Sequence, residues 1–507
     1  MKRRLIAVGL VGMAGSAYAG DVTMAPAIVG SATPVVADIL GGAEPGALKV
    51  DGITVYGAID TNLAWQTHGV RTSASYYNGM EYQINKNSQG SLFAVTNNAA
   101  QASFVGVKGT QSLDDLTGIR SLEGWSLGFD LQAGFDPVFG PVADNLKSLR
   151  QNNGVSPSSQ TANGDGARAG QIFNAEAYGA IKNTMLGELR YGRNNTLLYD
   201  AVGIYDPQKL SYANSLLSSG TFGGGYGATE DTRWNNSFKY INSFGPMRVG
   251  AQYRFAGSGE GGQAYSLAGA LDLSGQLKGL SIDAVWGHQD DAIAASSLTS
   301  STAIIPALGS CQSLGISLAA CRGINVLNAT VSDNTAWALM AKYNFETFQL
   351  ANLTVYGGYE RIDYSNPSSQ LDTLNTIGGY VINPTGVNYN AYTMQKHLDV
   401  TWIAGQYYFT PKLKAIGAWY HLKQNAFQTT ALGANAPTRC TNPGQGVSSQ
   451  SNCAGSLNWV SAMLDYQWTK RLDVYGGVSF TQAQDGLASG FAHTSTLNTT
   501  LGARFRF

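Results

Sequence analysis

The chain has 507 residues, among them 62 Gly and 26 Tyr, and its 32 Lys and Arg nearly balance 33 Asp and Glu. No stretch of 18 or more apolar residues occurs, which excludes a helical membrane protein, and the slight acidic balance argues against a nucleic-acid binder. A chain of this length would ordinarily form several soluble domains. A transmembrane β-barrel accommodates it as one domain, because each barrel strand needs only about 9 to 11 residues.

The N-terminal residues have the pattern of a secretory signal peptide. Basic residues at 2–4 precede an apolar run over 5–14, and a small-x-small cleavage site ends at Ala19. The apolar run is too short to cross a bilayer, which takes roughly 20 residues. We therefore predict a signal peptide over 1–19. Residues 20–50 show neither alternation nor a motif, and we interpret them as an N-terminal periplasmic extension.

Sixteen segments alternate between apolar and polar residues, as half-buried strands do. Long connections follow odd-numbered segments and shorter ones follow even-numbered segments, whereas a propeller would repeat at a near-constant blade length. This parity predicts an all-β fold, a 16-stranded antiparallel transmembrane barrel with tight turns at the periplasmic rim and long loops outside. The segments are 51–66, 92–109, 124–136, 171–182, 185–193, 232–242, 246–256, 263–274, 279–289, 334–345, 350–361, 396–409, 411–422, 456–468, 471–482 and 494–507.

The alternation also separates a lipid-facing side from a water-facing side. In segment 246–256 the odd-numbered positions from Met247 to Phe255 are apolar, and Arg248 and Arg254 lie on the other side. Charged residues on one face and aromatic residues near the strand ends are typical of a strand between a water-filled lumen and a bilayer. The last segment has the same pattern and ends on an aromatic residue, Phe507.

The four cysteines fall into two local pairs, Cys311 with Cys321 and Cys440 with Cys453. In an oxidising compartment each pair is expected to close one surface loop by a disulfide. A metal site is the alternative, but no histidine lies near either pair and the CxxC spacing is absent. We predict no metal site and no cofactor.

Five stretches resemble the Gram-negative general porin family, especially its β-proteobacterial members. Together they extend from the first predicted strand to the last, and the third is the most specific. They are Val55 to Asp60, Ser103 to Gly109, Tyr191 to Asn194 with Leu198 to Ala201 and Asp206-Pro207, Arg233 to Ser237 with Lys239-Tyr240, and Gly502 to Phe507.

The resemblance implies a barrel domain over 51–507 that assembles as a homotrimer, with the third long loop, 194–231, folded inward to narrow the lumen. In this family, basic residues on the wall face acids on the inward loop. Arg193 and Arg233 match wall arginines, and the motif also contains Asp200 and Asp206. From proximity alone, Glu230 and Asp231 are further acidic candidates. Each of these acids could instead accept hydrogen bonds from loop backbone.

Other residues are expected on the lumen wall from their position in the alternation. Two positions depart from the family pattern, Ala58 and Phe104, where basic residues are frequent. Phe104 shares its phase with Lys108 and is expected to face the pore, either as an aromatic contact for solutes or packed beneath the inward loop. The further wall residues are Asp60, Lys108, Arg190 and Lys239.

The expected function is an outer-membrane channel for passive diffusion of small hydrophilic solutes and ions. One alternative is a substrate-selective channel for anionic or aromatic solutes. The other is an adhesin that binds partners through the long loops. The five histidines lie in no recognisable catalytic motif, so we do not expect an enzyme. The implied partners are outer-membrane lipid and the barrel-assembly machinery, for which Phe507 would be the recognition signal.

Overall fold

The computed structural model describes most of the region from residue 48 to the C-terminus. Three sets of predictions lie outside the described residues: the signal peptide with most of the 20–50 extension, the pair Cys311 and Cys321, and the acids Glu230 and Asp231. The described ranges are 48–50, 52–69, 82–84, 88–138, 172–218, 233–256, 262–299, 326–348, 350–368, 376–377, 380–389, 391–430, 439–446 and 448–507.

Sixteen antiparallel barrel strands confirm the predicted architecture. Each is hydrogen-bonded to its neighbours in the sequence. The strands are β1 (Ile53–Gln66), β2 in two parts (Leu92–Asn97 and Phe104–Ser112), β3 (Trp125–Gly134), β4 (Ala177–Asn183), β5 (Gly187–Asn195), β6 (Arg233–Phe244), β7 (Met247–Arg254), β8 (Ala264–Asp272), β9 (Leu280–Thr299), β10 (Val326–Asn344), β11 (Leu353–Ser365), β12 (Lys396–Thr410), β13 (Leu413–Gln424), β14 (Gly455–Gln467), β15 (Leu472–Asp485) and β16 (Ser495–Arg506).

The barrel closes between its first and last strands. β1 pairs antiparallel with β16 from Ala58 opposite Arg506 to Gln66 opposite Asn498. Beyond the end of β16, the main chains of Phe507 and Gly57 exchange two hydrogen bonds, each 3.0 Å long. The final residue therefore takes part in the closing ladder.

The single strand predicted over 92–109 is wrong, because residues 98–103 leave the ladder. Asn98 adopts a left-handed conformation with φ 58°, and its side chain accepts hydrogen bonds from the backbone N–H and the hydroxyl of Ser103. Both parts of β2 still pair with β1. Local side-chain bonds of this kind compete with the ladder and interrupt the strand.

Other differences concern strand ends and connections. β9 and β10 continue beyond the predicted segments as a long hairpin with register shifts. A short strand, Leu48–Val50, pairs with the start of β1, so the predicted boundary at residue 50 falls within a hairpin. The remaining short strands are Thr376–Ile377, Tyr380–Tyr389, Ala391–Met394 and Gln428–Thr430.

Helices are short and lie in the connections. Helix α1 (Leu113–Thr117) follows β2, and helix α2 (Leu197–Tyr205) follows β5. In the described ranges, no helix is long and apolar enough to span a membrane. The 3-10 helices are Arg120–Leu122, Leu216–Ser218, Gly275–Leu277, Phe345–Phe348 and Gly486–Ala488.

The two faces of the wall differ as the alternation predicts. On β7, Met247 and Tyr253 are exposed on the outside, whereas Arg248 and Arg254 are buried on the inside. The outer surface is correspondingly rich in exposed large hydrophobic residues, which suits contact with lipid. Examples are Leu63, Phe129, Leu189, Leu267, Leu339, Ile403, Val460 and Leu501.

Candidate pore lining and inward segment

Residues 196–218, which we name the inward segment, leave the wall at the end of β5 and begin with helix α2. The Oγ1 atom of Thr196 accepts a hydrogen bond of 3.3 Å from the backbone N–H of Tyr199, which caps the helix. The backbone N–H of Leu197 donates to the side chain of Gln252 on β7 at 3.2 Å. The cap and this bond fix where the helix starts against the inner wall.

The inward segment then contacts strands on the other side of the barrel. The indole N–H of Trp402 on β12 donates to the carbonyl oxygen of Tyr205 at 3.2 Å. The hydroxyl of Tyr420 on β13 donates to Oδ1 of Asp206 at 2.7 Å. The Oγ atom of Ser461 on β14 donates to the carbonyl oxygen of Asn214 at 2.6 Å. These bonds join the segment to strands seven to nine positions along the sheet from β5.

Asp206 organises the turn that follows helix α2. Its carboxylate accepts from the backbone N–H groups of Gln208 at 3.1 Å and Leu210 at 2.9 Å, in addition to Tyr420. Complete burial of the carboxylate raises the pKa of Asp206 above its ordinary value. Of the two roles weighed for Asp206, the observed bonds match the acceptor of loop backbone.

The same turn contains a buried lysine with a left-handed backbone and a lowered pKa. Lys209 and Leu210 both have left-handed backbones, with φ 55° and 57°, a conformation that costs free energy for residues other than Gly. The ammonium of Lys209 donates to the carbonyl oxygen of Gly203 at 3.1 Å. Burial, helped by the nearby charge of Lys342, lowers the pKa of Lys209 to about 7. Its charge therefore changes near neutral pH.

An apolar inner wall lies against the inward segment, and the sequence analysis did not predict it. Large apolar residues on β11 to β14 face inward and are buried in one cluster with the apolar side chains of helix α2. Midway along β12 both faces are apolar, since Trp402 points inward and the next residue, Ile403, is exposed outside. The cluster includes Ile362, Leu398, Val400, Trp402, Tyr420, Leu422 and Trp459.

A basic wall occupies β5 to β7. Arg190 is buried, with Nε 2.7 Å from Glu188 and Nη1 3.5 Å from Glu176. Lys239 forms an ion pair with Asp200 and also donates to the carbonyl oxygen of Asn195 at 3.0 Å. The predicted wall positions of both basic residues agree with this inward placement.

Further along the same wall, Arg248 and Arg254 are also buried on the inner face. The Nη2 atom of Arg248 lies 3.4 Å from the carboxylate of Asp272. The Nη2 atom of Arg254 donates to the carbonyl oxygen of Gly262 at 2.8 Å. Carboxylates thus partner several cations of this wall, which makes its charge mixed.

Strand β5 is kinked at Gly192, with φ 137° and a register shift between Gly192 and Asn194. A Cβ at Gly192 would collide with the main chain of β4, so this conformation requires glycine. The kink turns Arg193 to the inside, where its guanidinium donates to the carbonyl oxygen of Asn174 at 2.8 Å and to Asn235 at 2.6 Å. Arg193 thereby holds the chain that leads into β4 against β6.

Arg233 begins β6 and is buried against the inward segment. Its guanidinium carbon lies 5.0 Å from the centre of the Tyr199 ring in helix α2. A cation over an aromatic face is attracted by the negative potential of the ring. Arg233 therefore contacts the inward segment through an aromatic ring.

Phe104 faces inward, as its phase predicts, but it is packed rather than free. Its ring meets the edge of Tyr56 with centroids 5.7 Å apart, and only 3% of Phe104 is exposed. The hydroxyl of Tyr56 donates to Asp130 at 2.7 Å, and the ammonium of Lys108 lies 4.4 Å from the centre of the Tyr56 ring. Phe104 and Lys108 thus belong to one cluster built around Tyr56.

Asp60 is buried behind the break in β2. Its Oδ2 atom accepts from the backbone N–H groups of Ala100 at 2.9 Å and Gln101 at 2.6 Å, and its Oδ1 atom accepts from the hydroxyl of Tyr475 at 2.5 Å. These donors satisfy the carboxylate, and the charge of Arg504, opposite Asp60 on β16, also attracts it. Asp60 lies on the inner face as predicted, where its contacts hold irregular backbone in place.

Cys440 and Cys453 form the predicted disulfide in the connection between β13 and β14. In the part of the chain that the structure describes, no group of three or more His, Cys, Asp or Glu residues is placed to hold a metal ion.

A family model described as Gram-negative porin matches residues 7–486. The chain belongs to the Gram-negative porin family. A porin of this family is a multi-pass protein of the outer membrane, in agreement with the apolar exterior of the barrel. Among curated proteins, an outer membrane porin of Bordetella pertussis is 22% identical over 238 residues, 47% of this chain and 51% of the relative. The chain thus matches only about half the length of that relative.

Solved structures support the same fold. The anion-selective porin from Comamonas acidovorans superposes with a TM-score of 0.53 at 14% identity, covering 90% of this chain and 99% of that chain. The outer membrane protein OmpT of Vibrio cholerae, in its trimer form, gives a TM-score of 0.50 at 11% identity and covers 90% and 99%. At such identities the likeness concerns the fold alone.

Proposed function

We propose that this protein is a water-filled channel for passive diffusion of small hydrophilic solutes and ions, narrowed by the inward segment. The observation that carries the proposal is a closed barrel that is apolar outside and contains residues 196–218 in its interior. This segment is hydrogen-bonded to the opposite wall through Tyr420 and Ser461. A segment fixed in this way restricts the passage to the rest of the lumen. Its fixed charges and dipoles act on solutes at close range.

The basic wall on β5 to β7 favours a second candidate, an anion-selective channel. Arg190, Arg248 and Arg254 face inward on these strands, and the structurally similar Comamonas porin is described as anion-selective. The carboxylates of Glu188 and Asp272 offset part of this charge. We therefore propose a general channel with a weak ionic preference. We propose no catalytic role for the five histidines.

We further propose that the mature chain begins after residue 19, that 20–50 is a periplasmic extension, and that Cys311 and Cys321 form a second loop disulfide. A homotrimer is proposed because a structurally similar outer membrane protein has a trimer form.

Phe507 is proposed as the signal for the barrel-assembly machinery. Its pairing with Gly57 places it at the rim where the barrel closes.

The deciding experiment records refolded protein in planar bilayers and measures single-channel conductance and reversal potential in a salt gradient. Stable ohmic openings are expected, with a small shift of reversal potential toward the anion equilibrium value. Liposome swelling is expected to increase linearly with solute concentration. Saturating flux would reject the general channel in favour of a selective one, and absence of conductance from folded protein would reject both.

A further inference from the structure

Four charged residues lie together on the inner wall near the end of helix α2. Arg248 is the second residue of β7, Asp272 is the last residue of β8, and Asp283 and Lys342 lie on β9 and β10. All four are close to the strand ends that the short connections join, which are expected at the periplasmic rim. We name these four residues the rim cluster.

The register of the strands places small side chains at the centre of the rim cluster. Ala270 on β8 pairs with Arg248 on one side and with Asp283 on the other. Ser281 on β9 pairs in the same way with the other two members of the cluster. In each row an acid and a base are thus separated by one intervening strand, about 10 Å between main chains. The charges therefore surround a low floor instead of meeting across it.

Hydrogen-bonding capacity in the rim cluster is left unused. Asp283 is 6% exposed, and its Oδ1 atom is buried without a hydrogen-bond partner among the residues that the structure describes. The Nε atom of Arg248 is in the same state, although its Nη2 atom lies 3.4 Å from Asp272. The ammonium of Lys342 lies 5.6 Å from the centre of the Tyr205 ring. A ligand that bonds these atoms would remove the cost of leaving them unsatisfied.

The charges of the rim cluster balance, and one edge of it is open. The other three members all act on the charge of Asp283, and two bases offset two acids. Tyr205, the last residue of helix α2, covers the cluster with its hydroxyl 3.4 Å from Nη2 of Arg248. The side chain of Asp272 is 47% exposed. A solute can thus reach the cluster past Asp272.

We propose that the rim cluster binds a small zwitterionic solute, one that carries a carboxylate and an ammonium on the same molecule. Its carboxylate would bind Arg248 and Lys342, since a guanidinium donates paired N–H groups to a carboxylate. Its ammonium would bind Asp283 and Asp272. A simple anion would place its charge near the two acids, and a simple cation would meet the two bases. The inference rests on the proposed channel, through which solutes reach the site.

The test measures binding to refolded full-length protein by saturation-transfer difference NMR. It is done at about pH 8, because Lys209, whose charge acts on Lys342 and whose pKa is about 7, has then lost most of its charge. The probes are 4-aminobutyrate, butyrate and butylammonium, which share one carbon chain. We expect 4-aminobutyrate to bind several-fold more tightly than either analogue. Equal affinities for 4-aminobutyrate and butyrate would overturn the proposal.

Two variants divide the site into its acidic and basic halves. Asp283→Asn keeps the shape of the side chain and should lower the affinity for 4-aminobutyrate several-fold without lowering that for butyrate. Lys342→Met should weaken the binding of 4-aminobutyrate and of butyrate, but not that of butylammonium. Asp130→Asn is the matched control, because it makes the same change to another buried acid of the inner wall, beside Tyr56. It should bind all three probes as the wild type does.

Heat-modifiable migration on gels shows whether each variant is folded. Wild-type affinity in folded Asp283→Asn, or an equal loss in Asp130→Asn, would overturn the rim cluster as the site. Planar-bilayer recording of the same preparations tests the channel separately. Stable openings without preference for 4-aminobutyrate would reject the site alone, whereas absence of openings from folded wild type would reject the proposed channel function.

Discussion

The hydroxyl of Tyr420 donates a 2.7 Å hydrogen bond to Asp206, and this bond ties the inward segment to strand β13. Both groups are fully buried. If either side chain is removed, water cannot replace the lost hydrogen bond, because both groups are inaccessible to solvent. The position of the segment therefore depends on this pair.

Tyr420→Phe removes the hydroxyl donor to Oδ1 of Asp206 and leaves that buried oxygen with the backbone N–H of Gln208, a loss of about 1 to 3 kcal/mol. We expect noisier openings and a larger mean conductance, because the segment is held less firmly. Single-channel recording measures both. Tyr359→Phe is the control, as that tyrosine faces outward on β11 and binds Asp399. Identical traces for the two variants would contradict the assigned anchor.

We expect Lys209 to make the ion selectivity of the channel depend on pH. With a pKa of about 7, its ammonium is charged below neutral pH and loses its charge as the pH rises through this value. Anion preference should therefore decrease between about pH 6 and about pH 8, a range in which a group of this pKa loses most of its charge. Reversal potentials measure the change.

Lys209→Met should remove that pH dependence and retain the lower preference at both values. Lys423→Met is the matched control, because Lys423 is exposed on the outward face of β13. The assignment fails if Lys209→Met titrates as the wild type does.

Phe104→Arg adds a cation to the inner wall and should shift the reversal potential toward anions. The shift should be modest, because Asp130 lies next to the same Tyr56 ring cluster and can pair with the new guanidinium. Phe104→Leu keeps the packing apolar and should leave selectivity unchanged. An absent shift in folded Phe104→Arg would place this position outside the conducting path.

Deletion of Phe507 removes two main-chain hydrogen bonds to Gly57 and an aromatic ring that fills the space beside it. We expect fewer assembled barrels in the outer membrane and an unchanged unit conductance in those that form. Heat-modifiable migration on gels and single-channel recording measure the two quantities. Phe507→Tyr keeps the pairing and the ring and should assemble normally. A deletion that assembles at the wild-type level would refute the proposed signal.

The barrel could be predicted from the sequence because each strand carries its own alternation. The inward positions of Arg190 and Lys239 follow from a period of two residues. Even the inward turn of Arg193 was accessible, since a glycine in a strand next to a residue of the wrong phase indicates a bulge.

The roles of inward residues were less accessible, because partners come from distant parts of the chain. Asp60 binds amides 40 residues away, at Ala100, which no local pattern reveals. The apolar inner wall left a weaker signal, since Leu398, Val400 and Trp402 alternate with the polar residues Asp399 and Thr401, and this alternation does not show which face points inward. The burial of these three residues shows that their face is the inner one, and there the inward segment covers it.

The ladder between β1 and β16 joins residues from opposite ends of the chain. Contacts so far apart in sequence form slowly, because a large loss of chain entropy precedes them. Until they form, the sheet has two free edges, and a free edge is a template for pairing with another chain. Closure therefore competes with aggregation, and the time for which the two edges stay unpaired sets the yield of barrels.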